Sequence, residues 1–174
     1  MRSAEHPSDE SSSRLSHVDD AGHARMVDVS QKADTPREAI ARARVVMQPS
    51  TLTLIQEGGT PKGDVLAVAQ VAGVMAAKRA HELIPMCHPL SLTYIGITFA
   101  PHLPEAEGEP AAIEISAIAR TVGKTGAEME ALVAVAIAGL TIYDMCKAVD
   151  RSMRLEAVRL VHKSGGKSGI WSGK

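Results

Sequence analysis

A chain of 174 residues with 45% hydrophobic side chains is long enough to bury the core of one ordinary domain. Its net charge of −1 and aromatic content of 2% argue against a basic duplex-binding face and against a base-stacking platform, so no nucleic-acid partner is expected. Two cysteines, Cys87 and Cys146, make no disulfide framework, and a reducing cytoplasm is the expected compartment.

Residues 1–25 are rich in Ser, Asp, Glu and His and hold no apolar segment, so a disordered tail is expected there rather than a secretory signal. A single folded domain is expected over 26–174, beginning near Met26-Val27-Asp28-Val29-Ser30. Residues 37–47 fit a strand or a helix. The alternation in Arg42-Ala43-Arg44-Val45 and the β-branched pair Val45-Val46 favour a strand. Ser50 is placed to cap a short helix over 51–57, which Gly58-Gly59 would end. A long helix from 64 to about 83 would carry Val65, Val68, Ala72, Met75 and Ala76 on one stripe and stop before Pro85.

Residues 92–99 and 113–118 read as paired strands joined by the Pro/Glu/Gly-rich hairpin loop 101–110. A helix from 127 to about 149 and a strand over 155–162 complete the order β-α-α-β-β-α-β. The expected fold class is α+β, a ferredoxin-like antiparallel sheet with helices packed on one face. No run reaches the roughly 20 apolar residues of a membrane span, since 131–142 is short and contains Gly139 and Thr141.

The sharpest chemical signal lies between Gly123 and Lys147. Residues 131–140 carry no polar side chain and should form a buried helix, flanked by Glu128 and Glu130 at one end and by Asp144 and Lys147 at the other. Ionisable groups beside an apolar interior must be paired, shifted in pKa or engaged with a ligand. Thr125-Gly126-Ala127-Glu128 matches a capping box, which accounts for Glu128 as well as a ligand would; Glu130 also fits a solvated first-turn carboxylate. Asp144 and Lys147 stand three apart and meet on one helix face. They fit a plain ion pair, or a carboxylate that orients a lysine for proton transfer; an acid near a helix C-terminus has the wrong sign for the plain pair. Glu130 and Asp144 are fourteen residues apart, roughly 21 Å along a helix. A site using both would have to be shared between subunits.

Lysine recurs beside glycine at Lys62-Gly63, Gly123-Lys124-Thr125-Gly126 and Gly165-Gly166-Lys167-Ser168-Gly169, a pattern that suits phosphate. Neither of the latter two is a P-loop, because Ile118 and Val161 stand where its first glycine is needed. Each alone also fits an ordinary turn. Pro85-Met86-Cys87-His88-Pro89 sets a histidine on a stiff loop, placed to contact phosphate or a polar ring as well as to be an ordinary loop histidine. No second ligand pair at a recognised spacing makes it a zinc site.

Taken together, the motifs resemble the cyclic pyranopterin monophosphate synthase family, the C proteins of molybdenum cofactor biosynthesis. The resemblance runs through residues 26–30, Pro61-Lys62-Gly63-Asp64, Ala76-Ala77-Lys78-Arg79 and Leu83-Ile84-Pro85-Met86-Cys87-His88-Pro89-Leu90. It continues through Lys124-Thr125-Gly126-Ala127-Glu128-Met129-Glu130-Ala131-Leu132, residues 141–148 and residues 163–169. Met86 stands where leucine is commoner in the family, a volume-conserving change.

The resemblance implies an enzyme, a phosphorus–oxygen lyase. It would convert 3′,8-cyclo-7,8-dihydroguanosine 5′-triphosphate to cyclic pyranopterin monophosphate and pyrophosphate. It implies Asp144 and Lys147 as the catalytic pair, and Lys62, Met86, Cys87, His88, Glu128, Met129, Glu130 and Lys163 as substrate-binding residues. It further implies a homohexamer built as a trimer of dimers with sites at subunit interfaces, and a functional link to the upstream radical GTP cyclase. No cofactor or metal ligand is required by the sequence, although Mg2+ is compatible with the chemistry; no membrane partner is implied. On the residues alone two other readings stay open. One is a non-catalytic module that senses a nucleotide triphosphate, and the other is a structural oligomer whose polar helix ends satisfy an interface.

Overall fold

Alternation along the strands dictates the architecture. In β1 (Thr35–Met47) the residues Ala39, Ala41, Ala43, Val45 and Met47 are buried, and in β3 (Ala111–Gly123) every odd residue from Ala111 to Thr121 is buried. A strand turns successive side chains to opposite faces, so these residues form one apolar face that must be covered. The opposite face carries ion pairs such as Arg120 Nε to Glu38 Oε2 at 2.6 Å and Arg42 Nη1 to Glu114 Oε1 at 3.8 Å. The computed structural model describes residues 22–104, 106 and 108–173, so all but the last four residues of the expected tail lie outside it.

Helices α1 (Pro49–Gln56), α2 (Val65–Ala77), α3 (Ala80–Leu83) and α4 (Glu128–Cys146) accompany strands β2 (Leu92–His102), β4 (Arg154–Ser164) and β5 (Trp171–Ser172). The sheet is antiparallel throughout, in the order β2-β3-β1-β4-β5. Long continuous registers, from Thr35 opposite Gly123 to Met47 opposite Ala111, hold its centre. Helix α4 packs on β1, β3 and β4, and α2 packs beside it and on β2. This is the expected α+β ferredoxin-like arrangement with an additional edge strand, β5.

Several local expectations need correction. Helix α1 starts at Pro49, not after a Ser50 cap, and Gln48 is its N-cap without a side-chain bond. Proline tolerates the first helical position because its missing N–H has no partner there. The carboxylate that serves this end comes instead from far away: Asp150 Oδ2 accepts from the Gln48 N–H at 2.8 Å and from Thr51 Oγ1 at 3.1 Å.

The long helix breaks at Lys78-Arg79 into α2 and α3. Its inward stripe is Val65, Ala69, Gly73 and Ala77, while Val68 and Met75 are 45% and 52% exposed. The small residues face inward because α2 lies very close to α4: a Cβ at Gly73 would stand 2.9 Å from the Ala134 carbonyl oxygen. The β2–β3 loop is shorter than expected, since Pro101 and His102 still pair with Ile113 and Ala112. Helix α4 is 19 residues long and, contrary to the sequence expectation, apolar enough by composition to cross a bilayer. It is the core helix, with Ala131, Ala134, Val135, Ala138 and Ile142 fully buried.

Candidate functional site

The N-terminal end of α4 opens into a cavity of about 400 Å3. Glu128 and Met129 form one wall, the loop Met86-Cys87-His88 another, and Lys163 of β4 reaches in from the sheet. Val27, Val29 and Lys32, from the segment before β1, complete the lining. An adjoining cavity of about 140 Å3 shares Lys32, Glu128 and Lys163 and adds Arg37, Lys124, Ser164 and Ser168. Four cationic side chains, Lys32, Arg37, Lys124 and Lys163, therefore border the two adjoining cavities against the carboxylates of Glu38 and Glu128, a net positive charge suited to a polyanion.

No capping box forms at this helix end. Ala127 is the N-cap, and the Glu128 carboxylate folds back over Gly126 to accept from Lys163 Nζ at 3.0 Å. A Cβ at residue 126 would meet that carboxylate, so the glycine leaves room for Glu128 to lie over the turn in this position. The turn at Gly165-Gly166 needs glycine for conformation: φ is +96° and +70°, and a Cβ at 165 would also strike the Pro36 carbonyl oxygen. These glycines shape the cavity rim.

Glu130 stands one step behind the cavity. It is only 2% exposed, its Oε1 accepts from the Cys87 thiol at 3.7 Å, and its Oε2 finds no hydrogen-bond partner among the described residues. Burial pushes its carboxyl above the ordinary carboxylate range. The same desolvation, joined by the charge of Glu130, pushes the Cys87 thiol up to about 11. Cys87 is therefore a protonated donor rather than a thiolate nucleophile. Of the two readings open for Glu130, the solvated first-turn carboxylate does not fit this burial.

The other end of α4 is a separate cluster. Asp144 Oδ1 accepts from Lys147 Nζ at 2.6 Å, and Oδ2 accepts from Lys62 Nζ at 2.9 Å. Lys62 also donates to the Asp144 main-chain oxygen at 3.0 Å, which compensates the unfavourable position of an acid at a helix C-terminus. Hydrogen bonds from Lys147 and then Lys62 hold the Asp144 carboxyl at about 2, and Asp144 in turn raises the Lys147 pKa. These three side chains are half-exposed rather than set against an apolar interior, correcting the picture of burial at both helix ends.

The candidate site residues therefore divide. Met86, Cys87, His88, Glu128, Met129 and Lys163 meet at the N-terminal end of α4 with Glu130 behind them, while Lys62 joins Asp144 and Lys147 at the far end. Sequence reasoning did not find Asp150, which is 1% exposed. Burial acts to raise its pKa, yet bonds from Gln48, Ser152 and Thr51 lower it overall. It also missed the roles of Lys32, Val27 and Val29, because only tertiary contact brings them to the cavity.

The chain matches a family model described as the MoaC family over residues 26–166. It is 62% identical over 160 residues, 91% of this chain and 93% of the relative, to the cyclic pyranopterin monophosphate synthase of Chloroflexus aggregans. Similar matches are the proteins of that name from Chloroflexus aurantiacus strain J-10-fl, 60% identical over 93% of this chain and 96% of the relative, and Pelotomaculum thermopropionicum, 58% identical over 93% and 92%. With matches of this identity and extent, the chain belongs to the MoaC family.

Proposed function

We propose that this chain is the lyase that converts 3′,8-cyclo-7,8-dihydroguanosine 5′-triphosphate to cyclic pyranopterin monophosphate and pyrophosphate in molybdenum cofactor biosynthesis. The observation that carries the reading is Asp144 clamped between two ammonium groups, Lys147 and Lys62, in a chain whose relatives bear the synthase name. Asp144 orients both lysines by hydrogen bond and holds Lys147 as a charged proton donor; having given its proton, Lys147 is the base for the next step. Ring opening and reclosure require protons at more than one atom, and a single lysine that gives and retakes one serves both.

At the cavity, Lys163, Lys32 and Arg37 supply cationic charge for the triphosphate and for the pyrophosphate that leaves. His88 and the Cys87 thiol are donors beside them, and Glu130 fixes the thiol. A divalent cation such as Mg2+ would arrive on the phosphates, and the reading assigns it no protein ligands.

A complete site needs both ends of α4, which one chain separates by roughly 21 Å between Glu130 and Asp144. In this reading each subunit lends opposite ends of α4 to two sites, and the assembly is a hexamer built from three dimers. Exposed Val71, Met75 and Leu140 offer apolar surface for such contacts. The cytoplasm, where the upstream radical cyclase would deliver the substrate, suits two free cysteines. The test is incubation with the purified cyclised triphosphate. Stoichiometric pyrophosphate and the pterin product are expected, and binding without pyrophosphate release would favour a nucleotide sensor instead.

A further inference from the structure

Lys124 belongs to one of the Gly-Lys turns, yet its ammonium is already engaged within the chain. Its Nζ donates to the Ser30 carbonyl oxygen at 2.8 Å, across 94 residues of sequence. Arg37 fixes the turn that carries it, with Nε donating to the Gly123 oxygen at 2.8 Å and Nη2 to the Lys124 oxygen at 3.0 Å. On the other side of the bond, residues 25–34 belong to no strand or helix. Local bonds close them into a turn: Asp28 Oδ1 accepts from the Ser30 N–H at 2.8 Å, and the Lys32 N–H donates to the Val29 oxygen at 3.0 Å. Val27 and Val29 are half-buried while Asp28 and Ser30 are exposed, so the segment shows one side to the cavity and the other to solvent.

We propose that Lys124 is a positioning residue: its ammonium latches the segment 27–32 onto the domain so that Val27, Val29 and Lys32 form a fixed wall of the α4 N-terminal cavity. This rests on the reading that the cavity takes the nucleotide-derived substrate. A segment outside the sheet has no ladder to hold it, and one charge-assisted bond to a main-chain carbonyl supplies a well-defined anchor. Pre-ordering that wall lowers the cost of binding without touching the reacting atoms, so its loss should weaken binding and spare the chemical step.

The test compares wild type with Lys124→Met and Lys124→Arg in the full-length protein. Amide hydrogen exchange in the ligand-free protein is expected to speed up by roughly tenfold over residues 27–32 in Lys124→Met, the scale of one such bond, and to return towards wild type in Lys124→Arg. Unchanged exchange in β1 and β3 serves as the folding control. In turnover, Lys124→Met is expected to raise KM by about tenfold with kcat within roughly twofold, again with recovery in Lys124→Arg. A raised KM with unaltered exchange would overturn the latch and make Lys124 a direct phosphate ligand. Faster exchange with an unaltered KM would also overturn the proposal, since the segment would then not shape the site. If wild type itself releases no pyrophosphate, the reading of the reaction falls, while the exchange comparison still decides whether Lys124 is the latch.

Discussion

Glu130→Gln isolates the cost of placing a carboxyl inside this domain. Glu130 is 2% exposed, one of its oxygens has no partner among the described residues, and burial raises its pKa above the ordinary 4.5. A carboxyl whose folded pKa is raised binds its proton more tightly folded than unfolded. Between the unfolded and folded values the native state therefore holds more protons, and stability falls as pH rises through that window. The slope for one group approaches about 1.4 kcal/mol per pH unit. Above the folded pKa the loss is complete and constant. Glutamine keeps the shape and an acceptor for the Cys87 thiol but cannot ionise. Urea unfolding of both proteins at half-unit steps from pH 4.5 to 8 measures the difference. The variant is expected to gain on wild type as pH rises, then to run parallel to it. A stability difference independent of pH across that range would refute the account of Glu130 as a desolvated acid.

The remaining perturbations address chemistry and packing. Lys147→Ala removes the proton donor from the Asp144 cluster and is expected to lower kcat by roughly 10²–10⁴-fold while substrate binding by calorimetry stays measurable; near-normal turnover would favour a sensor. Gly73→Ala places a Cβ 2.9 Å from the Ala134 carbonyl oxygen, where backbone cannot yield cheaply. The helix-propensity gain of about 1 kcal/mol should be outweighed by overpacking of about 1–3 kcal/mol, seen as a lower midpoint in thermal unfolding. A higher midpoint would mean that α2 and α4 are less tightly apposed.

Long-period patterns were legible in the chain, and anything decided by a distant partner was not. The alternation of β1 and the apolar stretch of α4 both mark buried faces that any packing must cover, and both elements formed. Helix ends failed for one reason in two places: Asp150 serves α1 from across the fold, and Lys163 draws Glu128 out of its capping box. In α2 size, not hydrophobicity, chose the inward stripe, so Gly73 faces α4 while Val68 faces outward. The polar groups at both ends of α4 were conspicuous from sequence alone. What could not be read was which distant residues join each end, because only the fold sets Lys62 against Asp144 and closes the cavity with residues that precede β1.

Mixing two inactive variants tests the shared-site account most directly. Lys147→Ala disables the C-terminal end of α4, and Lys163→Ala disables the cavity at the N-terminal end. Each alone should be inactive. If every site draws its two ends from different subunits, co-refolding them at equal ratio leaves some sites free of both changes. Random pairing places about one quarter of all sites in that class. Recovery of roughly that fraction of wild-type pyrophosphate release is predicted. Mixed assemblies that stay inactive, with exchange of subunits confirmed by native mass spectrometry, would contradict the claim that the two ends of α4 serve two different sites.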